Sequence, residues 1–253
     1  MKRRIKPILE YLSQLECKIS SAWVRRAHKR LMSVQWKYPP QPESFDHHID
    51  LYYLWKNGYP FWIERGFVGN MCMQTLLSKK GKLKVLDLCC GDGFYSKYFY
   101  SYSATKITCI DFDPLAIKTA KAKNAGRNIE HITGDIRYDF PNEKFDVIIW
   151  DAAFEHFTMT EIKDLINKIK DSMYEDGILA CYTIKERDDL QKQLSHHEYE
   201  PKSKEDFASF FVNDFKNVQV FETVYPVRHN LYLVAGNGEI PFSKSWSLTH
   251  SSQ

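Results

Sequence analysis

From residue 83 onward, short apolar runs rich in β-branched and aromatic residues alternate with longer amphipathic stretches. The runs are residues 83–88, 106–110, 129–133, 147–150, 178–184, 218–225 and 230–235. The first five are separated by stretches long enough for crossover helices, which predicts a parallel sheet covered on both faces. The pattern indicates an α/β domain.

The last two runs are joined differently. Only residues 226–229 separate them, which is too short for a crossover helix. They are therefore predicted to pair as an antiparallel hairpin. The sequence predicts a seven-stranded, mostly parallel sheet that ends in a C-terminal antiparallel hairpin.

One predicted helix is especially clear. Residues 159–174 place Ile162, Leu165, Ile166, Ile169 and Met173 on one face. Thr158 and Glu161 have the spacing of a capping box, and Gly177 is expected to mark the end of the helix.

The N-terminal part of the chain has another character. Residues 1–36 predict one or two helices with an apolar face, ended by the proline-rich residues 38–42. Residues 43–80 are rich in aromatic side chains. We divide the chain into a helical and aromatic lid segment (1–80), a ligand-binding domain (81–240) and a polar tail (241–253).

Charge is unevenly distributed. Residues 1–37 carry ten lysines and arginines against two glutamates, although the formal net charge of the whole chain is only +3. Such a segment favours a nucleic acid, an anionic membrane surface or a phosphorylated substrate, or is simply a solvated helix face. No apolar run approaches the length of a membrane span, and the six cysteines form no C-x-x-C pair. We expect a cytoplasmic chain with reduced thiols.

The most informative motif is a Gly-x-Gly turn between a predicted strand and a predicted helix. Gly91 and Gly93 lack side chains, so the backbone can approach a ligand closely. Asp111 ends the next strand, where a carboxylate can accept both hydroxyls of a ribose. The motif by itself fits either a dinucleotide or S-adenosylmethionine.

Two acids decide between these ligands. Asp87 and Asp92 flank the turn and would repel a pyrophosphate, whereas S-adenosylmethionine carries an ammonium and a sulfonium that carboxylates attract. The third glycine of the dinucleotide motif is replaced by Ser96. The residues therefore favour S-adenosylmethionine.

Residues 80–237 resemble the class I, Rossmann-like S-adenosylmethionine-dependent methyltransferases. Residues 87–93 resemble the first motif of that family, with Cys89 in place of its first glycine, and residues 145–151 resemble the fourth. The resemblance implies S-adenosylmethionine as cofactor, held by Asp87, Cys89, Gly91, Gly93, Asp111, Phe112, Asp135, Ile136 and Asp151.

Candidate catalytic groups follow the fourth predicted strand. His156 titrates near neutrality and suits a general base, and Asp151 is a second catalytic candidate. Glu155, beside His156, is expected to orient it or to contact the substrate. A second polar cluster contains His196 and His197, as substrate contact and catalytic candidate respectively. With Asp151, Glu155 and His156 this cluster offers the oxygen and imidazole ligands of a metal site, but no local metal spacing is present, and we predict no metal.

Candidate substrate residues lie outside these loops. Tyr52, Tyr53 and Trp62 are expected to fold over the cofactor loop as part of the lid, and Arg65 to bind the carboxylate of the cofactor. Arg228, in the predicted turn of the hairpin, is placed to face an anionic acceptor.

We therefore expect a methyltransferase that acts on an oxygen of a small polar acceptor, which is anionic or nucleotide-linked. The resemblance extends to methyltransferases of bacterial surface-polysaccharide pathways, which implies a sugar, a nucleotide-linked sugar or a phosphate-type oxygen. The diproline turn of enzymes that methylate amines of DNA bases is absent, since Ala152 and Ala153 stand there. Two alternatives remain: an RNA methyltransferase that uses residues 1–37 as a phosphate clamp, and a catalytically silent partner subunit that binds S-adenosylmethionine.

Overall fold

The computed structural model describes residues 2–35, 61–187, 196–225 and 228–243. The chain divides into two compact units, residues 1–43 and 44–253. Within its described residues the first unit consists of one helix, α1 (Lys2–Gln35), where the sequence predicts one or two. The side chains of Leu12, Leu15 and Ile19 on its apolar face are exposed. No helix in the described part of the chain is long and apolar enough to cross a membrane.

The second unit contains alternating strands and helices. Its described helices are α2 (Phe61–Lys80), α3 (Pro114–Lys123), α4 (Met159–Asp171) and α5 (Lys204–Ser209), with a π-helical turn at Ser96–Tyr100 and a 3-10 turn at Phe154–His156. Its strands are β1 (Lys84–Leu88), β2 (Lys106–Asp111), β3 (Ile129–Thr133), β4 (Phe145–Asp151), β5 (Met173–Ile184), β6 (Asn217–Tyr225) and β7 (Arg228–Gly236).

The seven strands form one sheet in the order β3-β2-β1-β4-β5-β7-β6. Strands β1 to β5 are parallel, and β7 is antiparallel to both β5 and β6. The predicted α/β fold and its terminal hairpin are confirmed. One detail differs: Arg228 and His229 pair with Tyr225 and Val224 inside the ladder and do not lie in a turn, because the antiparallel pairing continues to the first residue of β7.

Hydrophobic cores lie on both faces of the sheet. Helices α4 and α5 pack on one face, where Phe154 and Phe207 are fully buried. Helix α2 packs on the other through Cys72, Met73 and Leu76. Residues 61–80 of the predicted lid segment thus contribute to the core of the second unit. Likewise Phe242, which the sequence assigns to the polar tail, packs against Phe221 at 5.2 Å between ring centroids.

The boundary between α4 and β5 differs from the prediction. The capping box of α4 forms as expected, with Thr158 and Glu161 bonded to each other's backbone. The helix ends at Asp171, however, because the carbonyl of Ser172 accepts the amide of Phe145 and draws the chain into the sheet. Gly177 lies within β5, where a Cβ would be 2.9 Å from the carbonyl oxygen of Tyr174.

Candidate active site

The turn after β1 contains three residues with left-handed backbone. Cys89, Gly91 and Gly93 have φ angles of 56°, 55° and 70°. A Cβ on Gly93 would lie 2.7 Å from Nε2 of His131, whereas a Cβ on Gly91 would meet nothing within 4 Å. Glycine adopts this conformation readily, so the two glycines both permit the turn and leave open space beside Gly91 for a ligand.

Cys89 adopts the same left-handed conformation although, unlike glycine, it has a side chain. Left-handed backbone costs an L-residue about 1–2 kcal/mol. This φ angle explains why the related motif has glycine at the position that Cys89 occupies. The side chain of Cys89 packs against the core on the α4 side of the sheet, which offsets part of the cost.

Asp111, at the end of β2, stabilises this turn through hydrogen bonds to its backbone. Its Oδ2 accepts the amide of Gly91 at 2.9 Å and its Oδ1 accepts the amide of Asp113 at 2.9 Å. Burial raises the pKa of this carboxyl, and the two backbone hydrogen bonds oppose the shift. Each carboxylate oxygen has a second lone pair, so Asp111 keeps capacity to accept hydroxyls of a ligand.

Asp87 lies behind the turn and does not line the cavity described below. Its Oδ2 accepts the hydroxyl of Ser96 at 2.5 Å, so the residue that replaces the third glycine has a partner on β1. Burial raises the pKa of Asp87 to about 7, although the bond from Ser96 opposes the shift. Asp87 therefore supports the turn from below.

A cavity of about 550 Å³ opens at the carboxyl ends of β1, β2 and β4, where parallel α/β sheets bind ligands. Its volume is within the range of small-molecule sites, about 300–1,000 Å³. The lining residues are Arg65, Cys89, Cys90, Gly91, Tyr95, Asp111, Phe112, Gly134, Asp135, Ile136, Arg137, Asp151, Ala152, Ala153, His156, Phe157 and His196.

Part of the cavity wall is an exposed aromatic side chain at the end of β2. Phe112 is 72% exposed, and Ile136 and Asp135 also border the cavity. Both carboxylate oxygens of Asp135 accept hydrogen bonds from Arg137, which also binds Glu161 at 2.9 Å. The predicted cofactor residues on this loop thus lie together, and Arg137 holds the loop against α4.

A buried cation also lines the cavity. The guanidinium of Arg65, on α2, lies 4.7 Å from the ring centroid of Tyr95 and 5.0 Å from that of Tyr182. Asp151, at the end of β4, shares this environment. Burial raises the pKa of Asp151 to about 7, and the positive charge of Arg65 opposes the shift.

Three histidines meet where the turn after β4 and the loop after β5 border the cavity, the part that we call the mouth of the cavity. The rings of His156 and His196 are stacked with 4.9 Å between centroids, and the ring of His197 lies edge-on to His156 at 4.9 Å. His156 and His196 line the cavity, whereas His197 is buried and its Nδ1 lies 2.5 Å from Oε1 of Glu200. The sequence offers the combination of His156 with this second cluster only as a disfavoured alternative, because its members come from two loops far apart in the chain.

The main chain holds the two histidine loops together. The carbonyl oxygen of Glu155 accepts the amides of Glu198 at 2.8 Å and Tyr199 at 3.2 Å. The carboxylate of Glu155 is buried and accepts the hydroxyl of Thr183 on β5 at 2.8 Å. Glu155, a predicted substrate residue, thus positions the histidine loops and does not line the cavity.

His156 has a perturbed titration. Burial lowers its pKa, the negative charge of Glu155 opposes the shift, and the neighbouring histidines lower the pKa further. The imidazole is therefore neutral at physiological pH, the form that accepts a proton.

The remaining predicted residues lie elsewhere. Arg228 donates to the hydroxyl of Tyr182 at 2.8 Å and to Oδ1 of Asn230 at 3.0 Å, within the sheet. It therefore binds Tyr182 on β5 and Asn230 on its own strand, and it does not line the cavity. Tyr52 and Tyr53 lie outside the described residues, and the side chain of Trp62 is likewise not described.

Sequence reasoning missed several residues that line the cavity, including Tyr95, Arg137 and Ala152. Tyr95 packs on Arg65, Arg137 binds Asp135, and Ala152 has a left-handed φ of 51° directly after β4. The available signal for Tyr95 was an aromatic residue directly after the Gly-x-Gly turn. Nothing local identified the other two.

The cavity fits the parts of S-adenosylmethionine. The open space at Gly91 leaves room for a ligand beside the backbone, and the carboxylate of Asp111 borders the same cavity with acceptor capacity to spare. Phe112 and Ile136 offer apolar surface for a purine, while Asp151 and Arg65 provide one charge of each sign for an amino-acid group. The donor set suits a cationic nucleoside.

Comparison with known proteins agrees with this geometry. Residues 85–177 match a family model described as a methyltransferase domain. The chain is 32% identical over 109 residues to a malonyl-[acyl-carrier protein] O-methyltransferase of Acetivibrio thermocellus; the match covers 43% of this chain and 38% of that protein. It is 25% identical over 166 residues to a second such enzyme, of Ilyobacter polytropus. The chain spans less than two thirds of the length of these relatives.

Solved structures show the same fold. The N-methyltransferase NodS from Bradyrhizobium japonicum WM9 superposes with a TM-score of 0.58 at 18% identity, over 71% of this chain and 98% of that one. Its complex with S-adenosyl-L-homocysteine superposes with a TM-score of 0.57. The bifunctional kinase-methyltransferase WbdD gives 0.55 at 22% identity, over 71% of this chain and 42% of that one. Residues 85–177 thus match a methyltransferase domain, and the chain has the α/β fold of these solved methyltransferases.

Proposed function

We propose that this protein transfers a methyl group from S-adenosylmethionine to an oxygen atom of a small polar acceptor. One observation carries the proposal: a single cavity is lined at one side by Gly91 and Asp111 and at its mouth by His156 and His196. A cofactor held at the first side would face an acceptor held at the second.

The residues of the chain would orient the cofactor. When bound, S-adenosylmethionine supplies a methyl group activated by a positively charged sulfur. Asp111 would accept the ribose hydroxyls while it fastens Gly91. Arg65, on a platform formed by Tyr95 and Tyr182, would bind the carboxylate of the amino-acid group. Asp151 would lie beside the positive charges and favour them when ionised.

His156 would remove the proton from the acceptor. The acceptor oxygen forms its bond to the methyl carbon as the carbon–sulfur bond breaks, and the electron pair of that bond stays on sulfur. The proton of the acceptor hydroxyl goes to a ring nitrogen of neutral His156. Glu155 and Glu200 hold the loops in place and would keep this imidazole oriented.

Two observations support a polar, oxygen-bearing acceptor such as a sugar, a nucleotide-linked sugar or a phosphate-type group. The mouth of the cavity contains imidazole donors and acceptors, together with Asp151. The curated relatives are O-methyltransferases by name. The five cysteines of the second unit, four of them buried, are free thiols, which favours a reducing cytoplasmic location.

The test is a product assay with purified full-length protein. It is incubated with methyl-labelled S-adenosylmethionine and, in separate reactions, free hexoses, nucleotide-linked sugars, sugar phosphates, malonyl-acyl carrier protein and a short RNA. We expect S-adenosylhomocysteine release and a methoxy resonance by NMR with one sugar or phosphate acceptor.

His156→Ala is the matched variant, with His229→Ala on the distant hairpin as control. Loss of turnover in the first but not the second supports the proposal. Methylation of RNA alone would replace it with the RNA alternative. Tight binding of S-adenosylmethionine without product from any acceptor would favour a silent partner subunit.

A further inference from the structure

The cluster of His156, His196 and His197 has the composition of a metal site. One ring nitrogen from each histidine lies within 4.8 Å of the other two. In a tetrahedral zinc site with Zn–N bonds of about 2.0–2.1 Å, ligand nitrogens are about 3.3 Å apart. Inward movement of about 1 Å would bring the rings to that spacing, and His196 is exposed and has room to move.

The surroundings resemble those of metal-ligating histidines. His197 pairs with the buried carboxylate of Glu200 at 2.5 Å, and such carboxylate–imidazole pairs orient metal ligands and increase their basicity. The backbone bonds from Glu198 and Tyr199 to Glu155 hold the two loops in register before any ion binds. The cluster is thus largely preorganised.

The donor type selects the class of ion. Three imidazoles suit Zn²⁺, Cu²⁺, Fe²⁺ or Ni²⁺, whereas Mg²⁺ and Ca²⁺ prefer oxygen ligands. Three protein ligands are also the number found in catalytic zinc sites, where the fourth position stays open. Here His156 and His196 line the cavity, so that position would face the acceptor.

We propose that His156, His196 and His197 bind one divalent transition-metal ion of the zinc class at the mouth of the cavity. The ion would take an acceptor oxygen as its fourth ligand and lower the pKa of the hydroxyl. This role rests on the proposed function. The bound ion would replace His156 as the group that activates the hydroxyl, and the acceptor proton would then pass to solvent, because a nitrogen of His156 that ligates a metal cannot also accept a proton.

The test measures metal binding without cofactor or acceptor, so its outcome does not depend on the proposed function. Untagged full-length protein is stripped with a chelator and titrated with Co²⁺ and then Zn²⁺. We expect one equivalent of Co²⁺ with the visible bands of tetrahedral coordination, displaced by one equivalent of Zn²⁺.

Variants identify the ligands. His196→Ala removes one ligand and should abolish the tetrahedral Co²⁺ spectrum. Glu200→Gln should weaken the affinity for Co²⁺ by about 10–100-fold. His229→Ala, the matched control, should bind Co²⁺ as the unmodified protein does. Circular dichroism of each variant shows whether the fold is retained.

Three results would overturn the proposal. One is absence of a tetrahedral Co²⁺ spectrum in the folded, unmodified protein. A second is binding that His196→Ala leaves unchanged. A third is a thiolate-to-cobalt charge-transfer band, which would assign the ion to cysteines. If binding is found, addition of the chelator to an active enzyme then shows whether turnover requires the ion.

Discussion

The link between Asp111 and the glycine turn leads to a quantitative prediction. Asp111→Asn keeps the size of the side chain but replaces one acceptor oxygen with an amide donor. That donor would face either the amide of Gly91 or the amide of Asp113, both of which now donate to the carboxylate at 2.9 Å. The substitution removes a charged acceptor and also loosens the turn.

The magnitude follows from the charged hydrogen bonds. Each contributes about 1.5–3 kcal/mol, and each 1.4 kcal/mol is a factor of ten in affinity. Loss of one charged bond to the ribose should therefore weaken S-adenosylmethionine binding by about 10–150-fold. Because both ligands have the same ribose, S-adenosylhomocysteine should lose affinity by a similar factor.

Isothermal titration calorimetry measures both affinities, with Asp164→Asn on the exposed face of α4 as control. A 2′,3′-dideoxy analogue of S-adenosylhomocysteine separates direct contact from loosening of the turn. If Asp111 binds the hydroxyls, the analogue should bind the unmodified protein weakly and lose little more in the variant.

Equal affinity of Asp111→Asn and the unmodified protein for both ligands would refute this reasoning. If Asp111→Asn weakens binding of the dideoxy analogue by the same factor as binding of S-adenosylhomocysteine, then Asp111 acts only through the turn.

Three further predictions concern neighbouring groups. His156→Ala should lower kcat by about 10²–10⁴ without changing the dissociation constant of S-adenosylmethionine; a change in affinity alone would contradict its role as base. Because burial raises the pKa of Asp151 to about 7, a cationic ligand should bind more tightly as pH rises through 7 and should displace a proton, detectable by calorimetry in buffers of different ionisation enthalpy. The same shift means that the unliganded fold loses stability as pH rises toward and through 7. Gly91→Ala should lower the free energy of unfolding by about 1–2 kcal/mol through backbone strain alone, and Gly93→Ala should cost more, because its Cβ would also meet His131; urea denaturation compares the two, and equal costs would argue against that contact.

The sequence predicted the sheet and the cofactor side of the cavity because their signals are local. The alternation of strands and helices, the glycine turn and the acid that ends β2 are each visible within a few residues. The sheet then brings Gly91 and Asp111 together, since β1 and β2 are adjacent and end at the same edge.

The parts that the sequence did not predict depend on contacts between distant segments. Ser96 differed from the expected glycine, and only the structure shows that its hydroxyl binds Asp87. The histidine cluster requires the carbonyl of Glu155 to bind a loop that follows β5. The sequence predicts a helix end at Gly177, because a glycine that follows a helix and a glycine inside a strand have the same local pattern.

The burial of the thiols has a practical consequence. Burial raises the pKa of Cys72, Cys89 and Cys181 well above the usual value, so these side chains contain almost no reactive thiolate at neutral pH. Cys17, on α1, is the exposed cysteine of the six. A maleimide dye should consequently label the native protein at one position in the N-terminal unit, and would give that helix a fluorescent reporter without any substitution.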